Sequence, residues 1–273
     1  MTVENIILTG CSFVHGDDVC YEKYGIPAYT GILDIYPTWN PSQKKYFEEV
    51  RLSGQLRKLL NCNVINLAES GDSNYTISSR LVNFLDKNKF NKEKTIVLVG
   101  WTENDRQDFY INDVGRLTLG VQRLEDYLNV FIKRYSLENK KGLLYQIDAI
   151  KKLLPYGKLY KDYTTMAYLT YRQHLQQIKL TELAIEAEGY KYIFWNSLPH
   201  HPLDPSCDVQ EIKIENIKWK NWFPFFDVTS YQYSWDAEIR KSKLHTASYH
   251  PSERAITLFA KNLANEIQKK FKL

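Results

Sequence analysis

The spacing of its short apolar runs constrains this chain most. Residues 5–10, 64–67, 95–99 and 190–195 are each of strand length, and helix-length segments separate them. Residues 48–60 carry Val50, Leu52, Leu56, Leu59 and Leu60 at helical spacing, closed by Asn61-Cys62-Asn63. The turn at 69–74 opens a second helix through about residue 86, with Ser73 or Asn74 as its N-cap. Residues 167–188 form a long helix stopped by Gly189, and 252–271 a final amphipathic one with Ile256, Phe259, Leu263 and Ile267 on its apolar stripe. Strands that alternate with helices imply an α/β fold, a parallel sheet covered on both faces.

Outside that rhythm lie an irregular aromatic segment at 20–45, a loop region at 199–235, and a stretch at about 107–163 rich in Lys, Tyr and Leu. The last reads as a helical insertion into a single domain spanning 1–273. With 273 residues, 44% hydrophobic and 25% charged, the chain has material for a substantial core, which excludes wholesale disorder. Its 36 basic and 32 acidic residues are too balanced to argue for nucleic acid. No apolar run reaches membrane-span length, and the chain enters a strand without a basic-then-apolar leader. It is therefore expected to be cytoplasmic where it is made. Cys11, Cys20, Cys62 and Cys207 form no CxxC pair, so free thiols are expected.

In a parallel sheet, chemistry collects in the loops after the strands. The first strand stops at Gly10 and presents Ser12. A turn around Gly71 follows the second, residues 100–106 follow the third, and His250-Pro-Ser252 leads into the last helix. Ester cleavage through a serine needs a base for its proton, donors for the developing oxyanion, and a partner that orients the base. His250 suits the base. Gly71 lets a backbone N–H approach closely, and Asn104 offers a side-chain donor. Cys11, beside Ser12, is a packing residue or an alternative thiol nucleophile. His15, Asp17, Asp18, His200 and His201 match no metal-ligand spacing and read as solvated loop residues. The loop aromatics (Tyr29, Tyr36, Trp39, Trp219, Trp222, Phe223, Phe225, Phe226) suit a carbohydrate platform or packing on the sheet.

The order of these blocks resembles the SGNH (GDSL-like) hydrolase family. Its elements are Thr9-Gly-Cys-Ser12-Phe, Asn66-Leu-Ala-Glu-Ser-Gly71-Asp-Ser-Asn74, Val97-Leu-Val-Gly100-Trp-Thr-Glu-Asn104-Asp, and His250-Pro-Ser252. The second is the most specific, close to the family's Asn-x-Ala-x-x-Gly turn. The resemblance covers about residues 4–106 and 165–270. It implies a three-layer α/β/α sandwich, flavodoxin-like, with a parallel sheet of about five strands. It also implies Ser12 as nucleophile, His250 as base, and an oxyanion hole of Ser12, Gly71 and an Asn side chain.

Two positions depart from the family. Its third-block Asn falls at Thr102, which leaves Asn104 or Thr102 as the donor and Arg106 close by. Its Asp three residues before the histidine is Ala247 here, so the base forms a Ser–His dyad or borrows Asp236 or Asp227. The expected activity is hydrolysis of an ester, an O-acyl group on a carbohydrate, with no metal or organic cofactor. The rivals are a non-catalytic binding or virion structural protein, which Ala247 favours, and an O-acyltransferase using the same pair. The Lys, Asn, Ile and Tyr bias fits an AT-rich genome, and compact hydrolases of this kind are similar to proteins of bacteriophages and bacteria.

Overall fold

A computed structural model of the chain describes residues 2–25, 39–104, 106–111, 115–120, 129, 151–152, 155, 164–198, 218–223, 234–246 and 250–272. The first element, β1 (Asn5–Gly10), runs directly into α1, a helical turn at Ser12–His15. The short α2 (Tyr21–Tyr24) follows. Then come α3 (Pro41–Val50), α4 (Leu52–Leu60), β2 (Asn63–Asn66), α5 (Asn74–Lys87) and β3 (Thr95–Trp101). The remainder is β4 (Arg106–Ile111), β5 (Gly115–Gly120), α6 (Thr164–Ala187), β6 (Lys191–Asn196), α7 (Trp235–Lys241) and α8 (Glu253–Phe271).

The central sheet has the order β2-β1-β3-β6, parallel throughout. Among the described residues it has four strands, against the five or so expected from the family resemblance. Helices cover both faces. Trp195 of β6 meets Phe259 of α8, with ring centroids 5.6 Å apart, whereas Trp101 of β3 meets His174 of α6 at 6.0 Å. Gly100 is the register partner of Trp195, so Trp101 points to the opposite face. On the first face α8 packs with α4, and α5 packs with α6. Burial of Ile256, Leu263 and Ile267 along α8 contributes roughly 1.5–3 kcal/mol per side chain. No helix among the described residues is long and apolar enough to cross a membrane.

Two elements differ from the sequence reading. The helix expected over 48–60 is two helices with extended backbone at Arg51 (φ −65°, ψ 163°). A Cβ on Gly54 would run into the carbonyls of Glu48 and Glu49, so only glycine lets α4 fold back this tightly on α3. The insertion expected to be helical opens instead with an antiparallel hairpin, β4 with β5, in register from Arg106↔Gly120 to Ile111↔Gly115. Phe109, Tyr110, Ile111 and Thr118 favour strand over helix, and Asn112 and Asp113 between the two runs are turn-favouring residue types. The hairpin is moored by Asp108, whose carboxylate accepts from Ser73 and Thr76 at the start of α5, each at 2.6 Å, and from Thr118 at 2.5 Å.

The winding of the sheet reverses between β1 and β3, because β2 lies on one side of β1 and β3 on the other. Ligand crevices form at such a switch point, at the carboxyl ends of the strands. Gly10 and Gly100 are register partners there, and both leave room for Val14 of α1. A Cβ on Gly100 would come within 2.5 Å of both Val14 Cγ2 and Ser197 Oγ. Gly100→Ala is therefore expected to destabilise the protein by about 1–3 kcal/mol through overpacking, read as a lower denaturant midpoint with unchanged slope.

Candidate active site

Ser12 opens α1 at the switch point and is 5% exposed. The turn closes on its own carbonyl, which accepts from the N–H groups of Gly16 (2.9 Å) and Asp17 (3.1 Å). Gly16, at φ 98°, and Asp18, at φ 60°, then turn the chain back sharply. Aspartate tolerates the left-handed region better than most residues. Its carboxylate is carried to a histidine 232 residues away.

That histidine is His250. Its Nδ1 lies 2.9 Å from Asp18 Oδ2, with the Asp18 side chain 5% exposed and His250 22% exposed. Backbone bonds from Thr246 N–H to the His250 carbonyl (2.8 Å) and from Ser252 N–H to the Leu244 carbonyl (3.0 Å) pin the segment that carries it. Ser252 caps α8 from below, accepting from Ala255 N–H. The imidazole also packs on Phe13, the neighbour of Ser12, with ring centroids 5.6 Å apart, and Phe13 in turn meets Trp235 edge-on at 5.9 Å. The structure thus gathers the Ser12 turn, His250 and a carboxylate at one strand end.

The carboxylate differs from those the sequence suggested. Asp236 accepts from Arg240 Nε at 2.7 Å, and burial pushes its carboxyl above the usual range. Asp227 and Ala247 lie outside the described residues. Asp17 and Asp18, expected to be solvated, are 1% and 3% exposed. A signal was present in the sequence. Two adjacent aspartates sit between the apolar residues Phe13-Val14 and Val19-Cys20, and carboxylates buried in such a segment need partners. Asp17 finds His15, whose Nδ1 is 2.7 Å from Asp17 Oδ1. No cluster of three or more metal-ligating side chains occurs among the described residues. His200 and His201 lie outside them.

Gly71 adopts φ 76°, left-handed backbone that glycine supplies without strain. Behind it Asp72, fully buried, pairs with Arg80, which also donates to the Leu67 carbonyl at 2.9 Å. Ser73 caps α5, as the sequence suggested. Asn74 braces the next loop: its Oδ1 accepts from Thr102 N–H (2.9 Å), and its Nδ2 donates to the carbonyls of Thr102 (3.2 Å) and Glu103 (3.0 Å). In the sequence Asn74 reads as an N-cap candidate and as the end of the Gly71 block. Its wider part is to hold the third loop to the second.

Both candidate side-chain donors are buried, Thr102 at 0% and Asn104 at 2% exposure. Asn104 lines a polar cleft of about 450 Å³ that also includes Arg106, Tyr75, Gln173 and His174. Cys11 is fully buried, and desolvation raises its thiol above the usual range, which argues against a thiolate nucleophile at neutral pH. Among the loop aromatics, Trp222 is in the core, while Trp39 and Phe223 pack against it, Trp39 edge-on to Phe47 at 4.7 Å. Packing therefore accounts for those three. Tyr29, Tyr36, Phe225 and Phe226 lie outside the described residues, as does the side chain of Trp219.

No protein-family model and no curated protein matches the chain.

Proposed function

We propose that the chain is a serine ester hydrolase of the SGNH type, acting on an O-acyl group of a carbohydrate through Ser12, His250 and Asp18. The observation that carries this reading is the 2.9 Å approach of His250 Nδ1 to Asp18 Oδ2. A carboxylate on Nδ1 keeps that nitrogen protonated, which makes Nε2 the basic nitrogen of the ring. It also stabilises the imidazolium that forms when the serine proton moves. The parallel sheet with helices on both faces suits the sandwich of that family, although its expected count is about five strands.

In the reaction, Ser12 Oγ attacks the acyl carbonyl while His250 Nε2 takes its proton. The carbonyl π electrons move to oxygen, and the Ser12 amide, the Gly71 amide and Asn104 Nδ2 donate to the resulting oxyanion. Collapse breaks the bond to the alcohol oxygen, which leaves with the proton from His250, and an acyl-Ser12 ester remains. Water, deprotonated by the same histidine, then releases the carboxylic acid and restores the serine.

The cleft beside Asn104 supports a hydroxyl-rich alcohol portion. Its walls offer the carboxamides of Gln107, Gln173 and Gln177, groups that both donate and accept, while the Asp108 carboxylate is already engaged by three hydroxyls. The test is turnover of p-nitrophenyl acetate and of an O-acetylated sugar by the native protein and by Ser12→Ala. Acetate release by the first and not the second is expected. Equal release by both overturns the reading.

A further inference from the structure

The adjacent carboxylates of Asp17 and Asp18 point to different partners. Asp18 turns to His250, while Asp17 accepts from His15 Nδ1 at 2.7 Å through Oδ1 and from the Ser70 hydroxyl through Oδ2. Asp17 is 1% exposed, deep enough that its charge is not solvated by bulk water and depends on these groups. Ser70 immediately precedes Gly71. On the other side of Gly71, Asp72 is fixed by Arg80. The glycine therefore sits between two residues that are each tied down by an ionic or charge-assisted bond, one from α5 and one from the nucleophile's own turn.

We propose that Asp17 is a positioning residue that sets the Gly71 amide relative to Ser12 by holding Ser70. The proposal rests on the esterase reading and adds a physical link between nucleophile and oxyanion donor. Asp17 N–H donates to the Ser12 carbonyl at 3.1 Å, so the same residue that grips the Gly71 loop is bonded to the backbone of Ser12. Charge-assisted hydrogen bonds are stronger than neutral ones and tolerate less displacement. A loop held this way needs no reorganisation when charge develops on the carbonyl oxygen. His15 completes the arrangement by supplying a second donor to Asp17, and its ring is backed by Phe47 with centroids 5.6 Å apart. The wiring also sets His15 apart from His250. In the His15 cluster the carboxylate stands between the imidazole and the hydroxyl, so His15 does not act on Ser70 as a base acts on a nucleophile.

The test compares an oxygen ester with its thionoester in the native protein, Ser70→Ala and Ser70→Thr. Sulfur is larger than oxygen and a poorer hydrogen-bond acceptor, so a thionoester draws little from oxyanion donors. A misplaced Gly71 amide lowers kcat for the oxygen ester selectively, whereas a general loss of folded enzyme lowers both alike. Ser70→Ala is expected to lower kcat for the oxygen ester by about 10-fold or more, a fraction of the loss from deleting a donor outright, with KM little changed. The oxygen-to-sulfur rate ratio falls with it, and Ser70→Thr, which keeps a hydroxyl, restores the ratio. A ratio unchanged in Ser70→Ala, whether both rates hold or both fall together, overturns the proposal. Absence of Ser12-dependent turnover of either ester in the native protein is a different result, and it removes the esterase reading beneath the proposal as well.

Discussion

Ser12→Ala is expected to lower kcat for ester hydrolysis by about 10⁶-fold, and His250→Ala by a similar factor, because the two act as one unit and losing either stops nucleophilic attack. Neither change should perturb folding greatly. The turn α1 is held through backbone bonds from Val14, His15, Gly16 and Asp17, which do not depend on the Ser12 side chain. His250→Ala leaves the Asp18 carboxylate short of one donor in a buried position, so a modest drop in thermal midpoint accompanies that variant. The double variant should lose no more activity than either single one. Steady-state kinetics on a chromogenic acetate, with circular dichroism as a check on the fold, measures all of this.

The second large effect is at Asp18. Asp18→Asn keeps the shape of the side chain, and asparagine accepts the φ of 60° that this position requires, so the substitution removes charge without straining the turn. An amide at that position can present N–H to the imidazole, which leaves the ring in the wrong tautomer and its imidazolium unsupported. The expected loss is about 10³- to 10⁴-fold in kcat, the scale seen when a triad acid is neutralised. Asp236→Asn should retain activity, because that carboxylate is occupied by Arg240. If Asp236→Asn is crippled and Asp18→Asn is not, the assignment of the orienting acid is wrong.

Much of the architecture was legible because it is written in local pattern. The run at 95–99 is apolar throughout and becomes the fully buried β3, since a parallel strand covered on both faces has no polar side to show. Ser73, Gly189 and Ser252 were readable as helix boundaries because capping chemistry depends on one or two residues. The hairpin at β4 and β5 was hidden by the Lys- and Leu-rich sequence that follows it, which pulled the whole stretch toward helix. The break at Arg51 was hidden as well, because a chain that folds back after one residue keeps an apolar spacing close to a continuous helix.

The candidate site divides in the same way. Ser12, Gly71 and Asn104 were legible as residues in the loops after β1, β2 and β3, and His250 as the residue ahead of the last helix. The approach of Asp18 to His250 was not, because the family resemblance points to a carboxylate near the histidine in sequence, whereas Asp18 lies near Ser12. Nothing local to Asp18 announces a partner 232 residues along the chain. What the sequence did carry was the oddity of Asp17 and Asp18 inside an apolar segment, and burial turns that oddity into two histidine–carboxylate pairs.

The central claim is that Ser12 is the nucleophile activated by His250 and Asp18, and covalent labelling tests it most directly. A fluorophosphonate should add to Ser12 Oγ with loss of fluoride, and peptide mapping by mass spectrometry should find the adduct on the peptide that contains Cys11-Ser12-Phe13. Labelling should fall steeply in Asp18→Asn and vanish in Ser12→Ala. An adduct mapped to any other residue, or labelling of Ser12→Ala at the native rate, contradicts the account.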